Sequence, residues 1–176
     1  MPIPEFILEL RRHVGHAPLW LIGCTAVVVS ETESGAPQVL LVRRADTGVW
    51  SPVTGIVDPG EDPHVAAVRE VWEEACVRAE VTSLVWVSAG ELVHHVNGDQ
   101  ARYLDHTFRC RYLEGTPRVG DDENLQATWF SSDELPPLPR VFADRIAAAL
   151  CDPPRPILGS RPNGLQPRGV RADRQR

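Results

Sequence analysis

The chain has 176 residues, 43% of them hydrophobic and 24% charged, a balance that excludes a disordered or fibrous polypeptide and predicts one domain large enough for its own core. All 18 basic side chains are arginine, so lysine chemistry is excluded and any phosphate clamp must be arginine or metal. The formal charge of −6 is uneven: residues 151–176 hold six arginines against two aspartates, a net +4, leaving −10 on residues 1–150, which repels nucleic-acid backbones and anionic membranes and suits recruitment of divalent cations.

Residues 4–14 read as a short amphipathic helix with Phe6, Ile7, Leu10 and Val14 on one face. The apolar run from Ala17 to Val29 follows Arg11-Arg12, and Leu21-Ile22-Gly23-Cys24 imitates a lipoprotein cleavage site. Only Ala17 to Ile22 precedes the cysteine, shorter than a leader's apolar region of about 7–15 residues, and the run continues apolar beyond it. Leu19 to Ser30 is therefore read as a buried strand, and a cytoplasmic location is expected. Gln38 to Arg43 returns as a second strand after a turn, and Val53 to Val57 is a third, short one.

Pro63 to Ala75 is predicted as a helix, with Asp62 at the N-cap, Pro63 at the first helical position and an apolar stripe of Val65, Val68, Trp72 and Ala75. Val81 to Val96 and Ala101 to Leu113 read as strands joined by an Asn97-Gly98 hairpin turn. Alternation puts Leu104, Phe108, Cys110 and Tyr112 on one face, and Tyr103, Asp105, Thr107 and Arg109 on the other. By the same rule His94 and His95 face opposite ways, one buried and one exposed, and neither is assigned a catalytic role. An acidic loop, Gly120 to Asn124, precedes a strand at Leu125 to Phe130, and Pro139 to Leu150 closes as a helix. Residues 151–176 turn rich in Pro, Gly and Arg and are expected to be a disordered tail. Cys24, Cys76, Cys110 and Cys151 form no C-x-x-C pair, which predicts four reduced, mostly buried thiols rather than a zinc site. No run of 18 apolar residues predicts a membrane span.

The informative stretch is residues 55–77, GIVDPGEDPHVAAVREVWEEACV. On the predicted helix Glu70, Glu73 and Glu74 stand at i, i+3 and i+4 and project from one face. One reading is a solvated acidic face with i,i+4 pairs, in which Arg69 pairs with Glu73 and Arg78 with Glu74. Glu70, however, has only Ala66 and Glu74 at those spacings, so the arrangement leans toward a divalent cation.

This window resembles the Nudix box, G-x5-E-x7-R-E-U-x-E-E-x-G-U with U apolar. Gly55, Glu61, Arg69, Glu70, Glu73 and Glu74 fill its first glycine and its charged positions, and Val71 and Val77 its apolar ones; Cys76 stands where the pattern has glycine. Helices commonly end in a left-handed residue, so Cys76 is expected to strain that turn by roughly 1 kcal/mol without removing a ligand. Val53-Thr54-Gly55 likewise replaces the Pro-Gly-Gly common before the box.

The resemblance implies an α/β protein with the Nudix fold, an α/β/α sandwich around a mixed central β-sheet. It assigns residues 1–150 to that domain, with 1–16 as an N-terminal helical extension. It implies hydrolysis of a nucleoside diphosphate linked to another moiety, with Mg²⁺ or Mn²⁺. Glu70, Glu73 and Glu74 would hold metal, Arg69 and Glu61 would orient them, and Glu123 would add a ligand or general base unless Asp121-Asp122-Glu123 is a solvated turn. Arg43 or Arg44 is a candidate for substrate phosphates, and Trp50 and Tyr103 for stacking on a base, against a plain packing role for each ring. The expected partner is a small nucleotide-type molecule, with no nucleic acid and no membrane, and a homodimer is compatible with the family. The alternative readings are a non-catalytic metabolite sensor on the same fold and an isopentenyl diphosphate isomerase, whose additional residues have no evident counterparts.

Overall fold

The computed structural model describes residues 3–33, 35–95 and 97–159. Helix α1 (Glu5–Val14) leads into strand β1 (Leu19–Glu31), which turns into β2 (Pro37–Arg44). Short strands β3 (Trp50–Ser51) and β4 (Val53–Ile56) precede helix α2 (Pro63–Ala75). Strands β5 (Arg78–Ala89), β6 (Val93–His94), β7 (Gln100–Glu114) and β8 (Asn124–Ser131) follow, then helix α3 (Arg140–Cys151) and strand β9 (Ile157–Leu158). The described strands join one mixed sheet in the order β3-β2-β1-β7-β5-β9, with β4 paired to β1, β6 to β7 and β8 to β2.

Alternation along β1 builds the layers. Cys24, Ala26 and Val28 face α2, where they meet Leu40, Val42, Phe108 and Cys110 from neighbouring strands. Val27 and Val29 face α3 and pack with Leu41, Val85, Trp86 and Ile146. The result is helix, sheet, helix, with β1 and β7 running parallel through the middle from Leu19↔Ala101 to Val29↔Arg111. The predicted faces of β7 hold: Phe108 and Cys110 lie on the α2 side, while Asp105, Thr107 and Arg109 meet α3.

A buried ion pair ties α3 to the two central strands. Arg145 Nη1 lies 3.1 Å from Asp105 Oδ2 and donates to Thr25 Oγ1 at 2.8 Å. Thr25 and Thr107 hydroxyls donate to the two Asp105 oxygens at 2.8 and 2.7 Å. Every oxygen of that carboxylate is therefore satisfied away from water.

Several expectations change. On α1 only Ile7 is buried and Phe6 half-buried, while Leu10 and Val14 are exposed. One helical turn suffices to cover the small cluster of Leu21 and Ala101, and Arg11 anchors the rest through the carbonyls of Gly15, Ala17 and Gln100. Asp62 occupies the N-cap of α2 but makes no side-chain capping bond. The single strand expected over 81–96 starts earlier, at Arg78, and is cut after Ala89, leaving the Asn97-Gly98 turn to close only the short β6–β7 hairpin. His94 and His95 are both exposed, on and just after a two-residue strand that pairs, among the described strands, with β7 alone. Of the four unpaired thiols, Cys24 and Cys110 are buried, Cys76 half-buried and Cys151 exposed.

The chain beyond α3 is ordered further than its composition suggests. Ile157–Leu158 adds in parallel to Trp86–Val87, the Trp86 indole donates to the Gly159 carbonyl at 2.9 Å, and Ser83 reaches Asp152. A window average hides one apolar residue, Ile157, that covers the edge of β5. Residues 160–176, the remainder of the expected disordered tail, lie outside the described residues. Among the described residues no helix is long and apolar enough to cross a membrane.

Candidate active site

The strand-to-helix connection places the site. After β4 the chain turns through Asp58–Gly60, with Gly60 at φ +87°, and Pro63 starts α2 with φ preset for the helix. The helix buries a face that overlaps the predicted stripe only at Ala75, with Val68 half-buried. Ala66, Ala67, Glu70, Val71, Glu74 and Ala75 point to the sheet, while Val65 and Trp72 of the predicted stripe are 45% and 41% exposed. Two alanines and a facing glycine leave room for carboxylates that larger apolar side chains would fill. A Cβ on Gly55 would lie 2.3 Å from Glu70 Cγ, Cδ and Oε1.

Arg69 organises the acids. Its Nε and Nη2 donate to the two oxygens of Glu61 at 3.0 and 2.9 Å. Nη1 donates to Glu70 Oε1 at 2.9 Å and Glu73 Oε2 at 3.1 Å, and Nη2 reaches the Ile56 carbonyl at 3.3 Å. One planar, permanently charged group thus links β4, the turn and the helix. Hydrogen bonds from Arg69 hold the Glu61 carboxyl below the usual range. Glu70 and Glu74 behave oppositely. They are only 4% and 5% exposed, and burial pushes their carboxyls up to about 7 and about 8, with Glu123 adding repulsion to both.

Glu74 accepts a 2.7 Å hydrogen bond from Asn124 Nδ2. Asn124 is buried and was missed in the sequence, where an Asn after three acids reads as a turn residue. The loop before it docks on the end of α2: Arg118 N–H donates to Ala75 O and Gly120 N–H to Glu74 O, both at 3.1 Å. It then brings Glu123, half-buried, into electrostatic range of Glu70 and Glu74, and the Glu123 carbonyl accepts from Ala45 N–H at 2.7 Å. Cys76 caps α2 in the left-handed region at φ 55°, ψ 32°, the conformation expected where the pattern has glycine.

The predicted substrate residues separate. Arg44 faces the acids: Asp46 grips its guanidinium at 2.8 and 3.0 Å, and Glu74 and Glu123 raise its pKa further. Arg43 is exposed and donates to the Gly48 carbonyl. Trp50 packs edge-on against Phe130, 4.9 Å between centroids, in the core beneath α3. Tyr103 packs with the α1 cluster, its hydroxyl 3.2 Å from His95 Nε2. Trp50 thus lies on the sheet face opposite the carboxylates, while Tyr103 packs at the α1 end with its hydroxyl within electrostatic range of Arg44. Arg78 does not pair with Glu74, which is buried; its guanidinium stacks on Trp72 at 3.9 Å. Among the described residues no three His, Cys, Asp or Glu side chains converge in ready coordinating geometry, because Arg69 holds Glu70 and Glu73 and Asn124 holds Glu74.

Two predictions arise here. Gly55→Ala is expected to cost about 1–3 kcal/mol in denaturant unfolding by overpacking. It should also displace Glu70 toward solvent, so that its carboxyl titrates nearer the ordinary range in carbon NMR; an unchanged unfolding midpoint would contradict the contact. The second concerns pH. The raised carboxyls of Glu70 and Glu74 contribute stability below their ordinary value of 4.5 that is lost as pH climbs through about 7 and 8. With chelator present, the melting midpoint is expected to fall by several degrees between about pH 6 and 8.5. A flat profile would show that the two acids do not resist ionisation.

A mixed sheet between helices, with a glycine-started turn feeding a carboxylate-bearing helix, defines a Nudix-type hydrolase. The family model described as the NUDIX domain matches residues 22–151, and the chain belongs to the Nudix hydrolase family. It is similar to a MutT-like protein of Streptomyces ambofaciens, 32% identical over 134 residues that cover 76% of this chain and 79% of the relative. It is also 34% identical over 133 residues to the NAD-capped RNA hydrolase NudC of Pseudomonas putida (strain W619), covering 69% of this chain but only 44% of the relative. An ADP-ribose pyrophosphatase from Streptococcus suis 89-1591 shares the fold at TM-score 0.56 and 24% identity, over 79% of this chain and 97% of that one.

Proposed function

We propose that the protein hydrolyses a pyrophosphate bond in a small nucleoside diphosphate derivative, with Mg²⁺ or Mn²⁺ as cofactor. The observation that carries this reading is the pair of buried, mutually repelling carboxylates, Glu70 and Glu74, held beside Glu73 and Glu123 by Arg69 and Asn124. The donor set fits a hard cation: it is all oxygen and crowded. Glu70, Glu73 and Glu74 would hold the metal, with Glu123 as a further ligand or the general base. When bound, the metal neutralises the diphosphate and lowers the pKa of the attacking water. Arg69 and Glu61 keep the carboxylates aimed, and Arg44 is placed to take a substrate phosphate oxygen. The names of the NudC relative and of the ADP-ribose pyrophosphatase support an anhydride substrate.

The test is a panel of ADP-ribose, NADH, a nucleotide sugar, a dinucleoside polyphosphate, a nucleoside triphosphate and an NAD-capped RNA. Each is assayed for mononucleotide or phosphate release with Mg²⁺, with Mn²⁺ and with chelator. Turnover that chelator abolishes is the expected result. Tight binding of a panel member without turnover of any would replace the enzyme with a sensor. The acidic body places the small substrates ahead of RNA. Added Mg²⁺ should also restore the melting midpoint lost at high pH, and do so far less at low pH.

A further inference from the structure

We propose that a second, cationic pocket on the outer side of α2 binds a phosphate monoester or free phosphate dianion. The pocket has a volume of about 480 Å³ and is lined by Trp72, Cys76, Arg78, Glu114, Thr116 and Arg118. Trp72 lies on the solvent side of α2, away from the face that buries Glu70 and Glu74. The pocket is therefore separate from the carboxylate site.

Three observations point to an anion. The first is unused donor capacity. The Arg78 guanidinium carbon lies 3.9 Å over the Trp72 ring centroid, a contact that uses the face of the cation and none of its N–H donors. Among the described residues the Arg78 side chain has only the Trp72 ring contact and Arg118 only its backbone bond, with no side-chain hydrogen bond or ion pair for either. The second is rigidity of the wall. Arg118 N–H is fixed to Ala75 O, and Tyr112 Oη–H donates to Gly115 O at 2.8 Å. Gly115 sits at φ +105°, where a Cβ would come within 2.7 Å of Cys76 O. The third is charge. Glu114 offsets one of the two guanidinium groups, leaving an excess of positive charge on a body that is otherwise strongly acidic.

Arginines near a helix C-terminus commonly serve the helix dipole. Here backbone N–H groups of Cys76, Arg118 and Gly120 already cap the last carbonyls, so the guanidinium groups are not needed for that. Two guanidinium forks match the oxygens of a tetrahedral dianion. The exposed Trp72 edge offers an apolar surface for an organic group esterified to it.

The test follows the Trp72 indole N–H in nitrogen–proton correlation spectra of the full chain, assigned through Trp72→Phe. Chelator is kept present so that no metal-bound anion forms at the carboxylates. Inorganic phosphate and adenosine monophosphate are titrated separately at constant ionic strength, against chloride. A saturable shift of the indole signal is expected for the dianion. It should weaken at least tenfold in Arg78→Gln/Arg118→Gln, whose melting midpoint stays within a few degrees of the parent. Equal affinity for the two ligands assigns the pocket to the phosphoryl group alone, and tighter monophosphate binding assigns it to the ester with Trp72 as a wall. No shift with either ligand, or the same shift in the double variant, overturns the proposal. The outcome is independent of whether the substrate panel shows turnover.

Discussion

Glu74→Gln is expected to lower turnover about a thousandfold or more while raising the melting midpoint of the chelated protein near pH 8. The two effects have one cause. Glu74 is buried among like charges, and its ionised form is tolerated only at a cost in stability. The glutamine amide keeps the shape and an oxygen for the Asn124 hydrogen bond, and removes the charge. A proposed metal ligand is lost with it, and transition-state stabilisation of about 4 kcal/mol corresponds to a factor of roughly a thousand. Steady-state rates and thermal melts on the same preparation give both readouts. Activity within a few-fold of the parent would remove Glu74 from the metal site. Loss of activity together with a lower midpoint would mean that the residue is structural.

The second large effect lies on the opposite side of the sheet. Asp105→Ala is expected to destabilise the fold by about 3–5 kcal/mol, because it strands the Arg145 guanidinium in the core without a carboxylate. For a chain of this size that corresponds to a drop of the order of 10 °C in midpoint. Thr25 and Thr107 lose their shared acceptor at the same time. Replacing both charges, as Asp105→Leu with Arg145→Met, should recover much of the loss, since no charge remains to desolvate. The folded single variant should keep its turnover, because the network touches none of the carboxylates around Arg69. A loss under about 1 kcal/mol would show that water reaches the pair.

Local chemistry made α2 legible. Pro63 and the left-handed position at Cys76 bracket the helix, and the structure starts and stops it there. Its orientation was not legible, because a periodicity argument counts Val65 and Trp72 as buried by their size. What decides the matter is the surface opposite: Gly55 offers a seat for Glu70, and no larger residue at 55 would permit it. The same limit applied to Arg44, Trp50 and Tyr103. Alternation separates faces but does not say which face the helix with the acids will cover. Helical spacing alone brought Arg69 to Glu73, whereas Glu61, eight residues before Arg69 and outside the helix, was named only through the resemblance to the Nudix box. Asn124 and Arg145 were missed because their partners, Glu74 and Asp105, lie 50 and 40 residues away along the chain. Ile157 was missed because composition over a Pro- and Arg-rich stretch averages out one well-placed side chain.

The loop that covers the end of α2 carries a consequence for motion. Gly120 is bonded to the carbonyl of Glu74 itself, and three residues later the backbone of Glu123 is bonded to Ala45. Glu123 thus rides on a tether of three residues whose near anchor is the residue it faces. The spacing of the two acids is therefore set by three residues of chain held between two backbone hydrogen bonds. That spacing is built into the chain before any ligand arrives, and little ordering entropy is left to lose when one does.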